Sequence, residues 1–157
     1  MVDELREAGD AVFSVVAVKD ERVVGHAMFS KMKAPFAAAA LGPVAVMPEL
    51  QRNGIGSQLI RYGLAQSEAA GGVGIFVLEN PAYYRRFGFR ADTASCFESG
   101  YAGPHLMALA LGRGDLPARS GSIQYAPAFA SLGYTSSSGC PRPRRSCASI
   151  AKAGRSA

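Results

Sequence analysis

The feature that most constrains how this chain folds is a junction between a strand and a helix, V-A-V-M-P-E-L-Q-R-N-G-I-G-S-Q-L-I, at Val44 to Ile60. The apolar run at the beginning of this stretch, which is typical of a strand, ends at Pro48. A polar loop then leads to Gly54 and Gly56, directly before a helical pattern. The first amides of a helix have no partner within it, and the helix dipole places about half a positive charge there. Glycines let an anion approach these amides closely, so the junction predicts a pyrophosphate site with Arg52 as a cation at its rim.

Two common nucleotide-binding motifs do not fit this junction. A Walker A loop requires Gly-Lys-Ser or Gly-Lys-Thr, and neither follows here. A dinucleotide-binding fingerprint requires a third glycine at the position that Leu59 occupies. Two glycines before a helix also occur in ordinary turns, so the junction alone leaves a plain turn open as an alternative.

The periodicity of the apolar residues predicts an α/β fold with a mixed sheet and helices packed on it. The expected order, after a short helical stub, is β-β-β-α-β-α-β-β, in which Phe87-Gly88-Phe89 returns the chain to the sheet. The stub is Val2 to Ala8, and the turn of the first hairpin is Lys19-Asp20-Glu21. The strands are Ala11 to Val18, Arg22 to Met32, Leu41 to Met47, Val73 to Leu78 and His105 to Leu111, and the helices are Gly56 to Ala70 and Pro81 to Arg86.

The net charge of +5 comes from the C-terminal end of the chain. Residues 1 to 132 hold 12 Lys and Arg against 12 Asp and Glu, while residues 133 to 157 hold five cations and no acid. The second segment also lacks large apolar residues apart from Tyr134 and Ile150. We therefore expect a domain over residues 1 to 132 and a disordered basic Ser/Arg/Pro/Ala-rich tail over residues 133 to 157.

The composition argues against several classes of partner. Because residues 1 to 132 carry no net charge, we do not expect a nucleic acid as a partner. The longest apolar stretch is too short and too interrupted to span a membrane, and the acidic start is unlike a signal peptide, so a cytoplasmic location is expected. The three cysteines include no Cys-x-x-Cys pair, and no metal site is expected.

Two motifs carry a resemblance to a known family. Gln51-Arg52-Asn53-Gly54-Ile55-Gly56 resembles the Gln/Arg-x-x-Gly-x-Gly/Ala acetyl-CoA motif of the GCN5-related N-acetyltransferase (GNAT) family. Asn80 to Phe89, N-P-A-Y-Y-R-R-F-G-F, resembles the Tyr-x-x-x-Gly-Phe ending of the family's fourth helix, in the Pro-x-Tyr-Tyr form of a YhbS-like bacterial subgroup. The motifs stand in the family's order, and the resemblance covers about residues 1 to 130.

The resemblance implies the GNAT fold and a metal-free enzyme that transfers the acetyl group of acetyl-CoA to a primary amine of a small molecule or protein, by direct attack in a ternary complex. In this fold the strands at Leu41 to Met47 and Val73 to Leu78 run parallel and splay apart, and the pantetheine arm of CoA enters the gap. The implied cofactor-binding residues are Val44, Ala45, Val46, Gln51, Arg52, Asn53, Gly54, Ile55, Gly56, Ser57, Asn80 and Tyr84.

Tyr84, four residues before Gly88, matches the family's general acid, which protonates the departing thiolate. Its neighbour Tyr83 lies about 100° further around the helix, so only one of the two is expected to face the cleft.

The strand that carries a base in many relatives has no ionisable residue here. Glu79, where the buried strand ends, is a candidate base, with a solvated loop position as its alternative. A free neutral amine or a water chain offers a route without such a base. The other candidate bases are His26, Glu49 and His105. Their alternatives are a hydrogen-bonded packing role for His26, a loop position before the phosphate site for Glu49 and a surface position for His105.

A complete domain of this family begins with a strand and two helices that roof the acceptor pocket, and only the stub Val2 to Ala8 precedes the hairpin here. We therefore expect a domain that is short at its N-terminus. The alternative to an N-acetyltransferase is a catalytically weak acyl-CoA-binding module or a truncated remnant of the fold. A measurement of turnover would distinguish this alternative from an enzyme. Apolar sheet surface left open is expected to favour a homodimer or aggregation.

Overall fold

The computed structural model describes residues 1–112 and 114–132, with backbone only for the last two of these. The expected tail, residues 133 to 157, lies outside the described residues. The helices are α1 (Val2–Glu7), α2 (Ile55–Ala69), α3 (Pro81–Tyr84) and α4 (Ala91–Ala94), with 3₁₀ turns at Pro48–Leu50, Arg85–Phe87 and Pro127–Leu132. The strands are β1 (Ala11–Lys19), β2 (Arg22–Lys33), β3 (Ala38–Val46), β4 (Gly74–Leu78), β5 (Phe97–Glu98), β6 (Leu106–Ala110), β7 (Gly121–Ser122) and β8 (Gln124–Tyr125).

The main sheet is mixed, as the sequence predicts, with the strand order β1-β2-β3-β4-β6. The pairs β1–β2, β2–β3 and β4–β6 are antiparallel, and β3–β4 is parallel. β8 pairs with the end of β2, and β5 and β7 form a small parallel ladder. The predicted fold class is confirmed.

The hairpin of β1 and β2 turns at Asp20 and Glu21, which both have positive φ, 50° and 59°. Two successive residues of this conformation give a turn whose twist matches the two strands. The described part of the chain contains no helix long and apolar enough to cross a membrane.

The core lies mainly between α2 and the sheet. Leu59 and Ile60 of α2 pack with Phe29 of β2, Phe89 and Met107 of β6. All five residues of β4 are buried, as expected of a continuously apolar strand that is covered on both faces. A second cluster around Phe76 and Phe97 and a third around Leu5 and Met28 complete the core.

The parallel pair β3–β4 is short, and this opens the sheet. Its register runs from Ala38–Gly74 to Leu41–Val77 and no further. Against β2, the strand β3 advances from Leu41 to Val44 while β2 advances only from Ala27 to Phe29, so β3 carries one extra residue, a bulge that bends it. β4 ends one residue later, at Leu78, whereas β3 continues to Val46, and a gap opens beside this last part of β3.

The segment that follows β4 differs from the prediction in two details. The helix expected to run from Pro81 to Arg86 ends at Tyr84 and continues as the 3₁₀ turn. The return to the sheet after it is a single bridge between Arg90 and Ala108 rather than a ladder. Gly88, with a φ of +94°, redirects the chain there, and Phe89 is fully buried instead of pairing along a strand.

Gly63 of α2 offers a test of this packing. A Cβ at Gly63 would overlap the ring of Phe29, which is fully buried and stacks on Phe13 at 4.7 Å between centroids. Gly63→Ala should lower the free energy of unfolding by about 1–2 kcal/mol, because the overlap outweighs the better helix propensity of alanine. Urea unfolding measures this, with Gln66→Ala, exposed on the same helix, as the control. A Gly63→Ala protein as stable as the parent would contradict the packing.

Candidate active site

A cleft of about 770 Å³ opens where β3 and β4 diverge, a volume suited to a small-molecule ligand. Its walls are the end of β3, the loop and first turn of α2, the end of β4 and the segment that begins with α3. The lining residues are Val44, Val46, Leu50, Gln51, Arg52, Gly54, Ile55, Gly56, Ser57, Glu79, Asn80, Tyr83, Tyr84 and Arg86.

The loop before α2 is held by its own side chains. Gln51 Nε2 donates a hydrogen bond to the Val46 carbonyl at 3.1 Å, and Asn53 Nδ2 donates to the Leu50 carbonyl at 3.3 Å. Arg52 and Gly54 adopt left-handed conformations, with φ of 63° and 81°. These conformations reverse the direction of the chain, so that α2 begins at the wall of the cleft.

Within the described part of the chain, no side chain caps the N-terminus of α2. Gly54 is the N-cap residue and cannot supply one, so the first amides of the helix remain free to bind an anion. A Cβ at Gly56 would lie 3.2 Å from the Tyr83 hydroxyl and 3.6 Å from a methyl group of Val46. Glycine at this position therefore keeps the approach to the helix terminus open.

α3 places two tyrosines at the cleft. The Asn80 side chain accepts a hydrogen bond from the Ala82 amide at 3.0 Å and so caps this helix. Tyr84 is only 6% exposed, and its ring meets those of Phe89 and Tyr83 edge to face. The expectation that only one of Tyr83 and Tyr84 faces the cleft is wrong, because both line it.

Glu79 follows β4 directly and shares the cleft with Tyr84. Its amide donates a hydrogen bond to the His105 carbonyl at 3.1 Å. Partial burial of the carboxyl raises the pKa of Glu79, an effect that the Asn80 backbone and the charge of His105 oppose in part. A carboxylate with a raised pKa is a stronger base than an ordinary glutamate.

The structure places the other candidate bases outside the cleft lining. Glu49 is exposed on its 3₁₀ turn, and His105 is exposed beside Glu79. His26 lies on the sheet face away from α2, since its neighbour Gly25 points at Leu59 of that helix.

His26 has the expected packing position without the expected hydrogen bond. Among the described residues its buried Nε2 has no partner. Burial and the charge of Arg6 lower the pKa of this imidazole, which therefore favours the neutral form.

Two of the predicted cofactor residues do not line the cleft. Ala45 pairs with His26 and alternates away from Val44 and Val46, so that only its backbone lies at the gap. Asn53 uses its side chain to hold the loop.

Conversely, sequence reasoning did not assign Leu50, Tyr83 or Arg86 to the site. Tyr83 and Arg86 are three residues apart, a spacing that brings side chains together on a helical turn and could have indicated them.

Comparisons with known proteins agree with this architecture. The family model described as "Acetyltransferase (GNAT) family" matches residues 1–89. YjhQ of Escherichia coli K12, an uncharacterized N-acetyltransferase, is 32% identical over 105 residues, which are 63% of this chain and 56% of YjhQ. This chain thus spans about half the length of the curated relatives that it matches.

Two solved structures are also similar. YhbS from E. coli in complex with CoA has a TM-score of 0.78 at 26% identity, over 86% of this chain and 78% of YhbS. A GNAT family acetyltransferase from Brucella melitensis in complex with acetyl-CoA has a TM-score of 0.67 at 40% identity, over 82% of this chain and 75% of that protein. The chain belongs to the GNAT acetyltransferase family, and the YhbS-like resemblance is confirmed.

Proposed function

We propose that this chain is an acetyl-CoA-dependent N-acetyltransferase. The observation that carries the proposal is the uncapped N-terminus of α2, with Gly54 and Gly56, at the wall of an open cleft. Such a terminus binds a diphosphate through amide N–H groups and the helix dipole. The YhbS structure in complex with CoA and the Brucella structure in complex with acetyl-CoA support this cosubstrate.

In the proposed complex, the amides of Gly54 to Ser57 bind the pyrophosphate, with Arg52 at the rim. The pantetheine arm runs along the backbone of Val44 to Val46. The described residues include no strand that pairs with this part of β3 on the β4 side, because the β3–β4 register ends at Leu41. An extended ligand can therefore hydrogen-bond to this free strand edge.

The thioester then lies at the end of the gap, between the ends of β3 and β4. The amine nitrogen attacks the thioester carbonyl carbon, a C–N bond forms, and the C–S bond breaks. Tyr84 donates a proton to the departing sulfur, and Glu79 accepts the proton that the attacking amine loses. Both side chains line the same cleft, as this division of roles requires.

The proposed acceptor is a primary amine of a small molecule or a protein, and the cytoplasmic location expected from the sequence stays a prediction. The competing function is an acyl-CoA-binding module that turns over little or no substrate. Both functions include acetyl-CoA binding, so turnover is the property that distinguishes them.

We further propose that two copies of the chain associate through the β1 edge of the sheet. β1 ends the strand order, and its outer edge has no partner strand among the described residues. Apolar side chains concentrate there and on the adjoining hairpin and α2. Those exposed by about half or more in the described residues are Val12, Val16, Val18, Val23 and Tyr62.

A twofold axis through Val15 makes this edge complementary to itself. Antiparallel pairing of two β1 strands about that axis places Val12 opposite Val18 and Ser14 opposite Val16, each on the exposed face. No two charged side chains of β1 face each other in this register, since Lys19 is opposite Ala11.

The first test is turnover by the full chain. Release of CoA from acetyl-CoA is followed with a thiol reagent over a panel of primary amines, including a polyamine and a lysine-containing peptide. Tyr84→Phe should lower kcat about 100-fold or more and change acetyl-CoA affinity far less, because it removes the general acid but keeps the aromatic ring. Tyr62→Phe, at an exposed tyrosine outside the cleft, is the control. A fully active Tyr84→Phe enzyme would exclude the assigned acid, and binding without turnover would favour the binding module.

The second test is the pH dependence of kcat. Glu79 must be ionised to accept a proton, and its pKa is raised, so the rate should fall as the pH drops through a value above the usual range of a glutamate. Glu79→Gln should reduce kcat about 100-fold and remove this acidic limb, while the limb set by the amine remains. An unchanged acidic limb in Glu79→Gln would show that another group is the base.

The third test concerns the oligomeric state. Val16→Lys should convert the dimer to a monomer in sedimentation equilibrium, because a charge at the centre of the edge opposes pairing. Val23→Lys, the same change on β2 rather than on the pairing edge, should leave the dimer in place. A parent chain that is monomeric at every concentration would refute the association.

A further inference from the structure

Arg86 is a cation at the cleft for which the proposed chemistry has no role so far. It follows α3 in the 3₁₀ turn and lines the cleft, although its side chain is exposed. None of the ion pairs found within residues 1–112 and 114–132 includes it. Its guanidinium carbon instead lies 4.5 Å from the centroid of the Tyr83 ring.

Tyr83 is itself well anchored. Its ring meets that of Tyr84 at 5.2 Å and that of Phe87 at 5.5 Å, both edge to face. Its hydroxyl lies against Gly56, at the first turn of α2. A cation held on this ring loses less conformational freedom when it binds a ligand than one on a free side chain. Tyr83 therefore holds Arg86 beside the N-terminus of α2.

The charges that line the cleft favour an anion at this place. The ionisable side chains other than tyrosine in the lining are Arg52, Arg86 and Glu79. Arg52 belongs to the loop before α2, whereas Arg86 comes from the segment after α3. Two cations thus approach the same positive helix end from two different elements.

We propose that Arg86, held on the ring of Tyr83, binds a phosphate of the cosubstrate as a second cation beside Arg52. This rests on the proposed acetyl-CoA binding. CoA offers two such groups, the pyrophosphate and the 3′-phosphate, and a planar guanidinium can bind either through two parallel N–H donors. Tyr83 acts as a positioning residue, since it acts through Arg86.

The test is calorimetry of CoA binding to the full chain with two adjacent variants. Arg86→Gln should weaken binding about tenfold, the scale of one charge-assisted hydrogen bond. Arg85→Gln removes the same charge from the neighbouring exposed residue, which does not line the cleft, and should change affinity less than twofold. The difference between the two variants should shrink at high salt. Equal affinities of the two variants would overturn the proposal.

A second arm, with 3′-dephospho-CoA, identifies the phosphate. If Arg86 binds the 3′-phosphate, the tenfold difference disappears with this ligand, and if it binds the pyrophosphate, the difference persists. A parent protein that binds neither ligand would refute the cosubstrate itself, a result distinct from loss of the Arg86 effect alone.

Substitutions of Tyr83 test the positioning role. Tyr83→Leu removes the ring beneath the guanidinium and should reproduce most of the loss seen in Arg86→Gln. Tyr83→Phe keeps the ring and should weaken binding less. In an Arg86→Gln background, Tyr83→Leu should cause little further loss, because both changes remove the same contact. Full additivity of the two changes would show that Tyr83 does not act through Arg86.

Discussion

The early end of the β3–β4 pairing is the constraint on which the rest of the site depends. The pairing ends at Leu41 and Val77, one residue before β4 itself ends, whereas β3 carries an extra residue against β2 and continues to Val46. The strand edge at Val44 to Val46 is thereby left without a partner strand from β4. The same divergence creates the cleft that α2, Glu79 and α3 line. A short β4 beside a longer, bulged β3 thus brings these elements to a common cleft.

The second determinant is a helix terminus that the chain leaves uncapped. A helix can satisfy its first amides with a Ser, Thr, Asn or Asp side chain, as Asn80 does for α3. α2 has Gly54 in that position and Gly56 in its first turn. A side chain at Gly56 would crowd the Tyr83 hydroxyl, so the glycine serves both the open approach and the contact with α3. Because Gly54 has no side chain to cap the helix, the first amides of α2 can bind a ligand.

Much of this architecture could be predicted from the sequence because its signals are local. The glycines before α2, the proline that starts α3 and the continuous apolar run of β4 each indicate their element by short-range chemistry. The motif that follows β4 indicates Tyr84 and Asn80 as residues of the candidate site. The residues at the junction likewise lie on one short stretch of chain, and most of them line one cleft.

The remaining features depend on packing between distant segments. Tyr83 lines the cleft beside Tyr84 because α3 ends there and the chain tightens into a 3₁₀ turn, which a uniform helical period does not describe. The alanines at Ala38 to Ala40 favour a helix on their own, yet β4 pairs with all three and β2 pairs with Ala39 and Ala40 from the other side. That His26 Nε2 has no partner within residues 1–112 and 114–132 likewise depends on the surrounding strands and α1, and no local pattern reveals it.

The most direct test of the account is a titration of the amide NMR spectrum with acetyl-CoA. The amides of Gly54 to Ser57 should shift most and saturate together, with those of Val44 to Val46, while the amides around the turn at Asp20 and Glu21 stay unchanged. Gly56→Glu, which places a carboxylate where the diphosphate would bind, should abolish the shifts. Shifts at the hairpin with none at the start of α2 would contradict the claim that this helix terminus binds the cosubstrate.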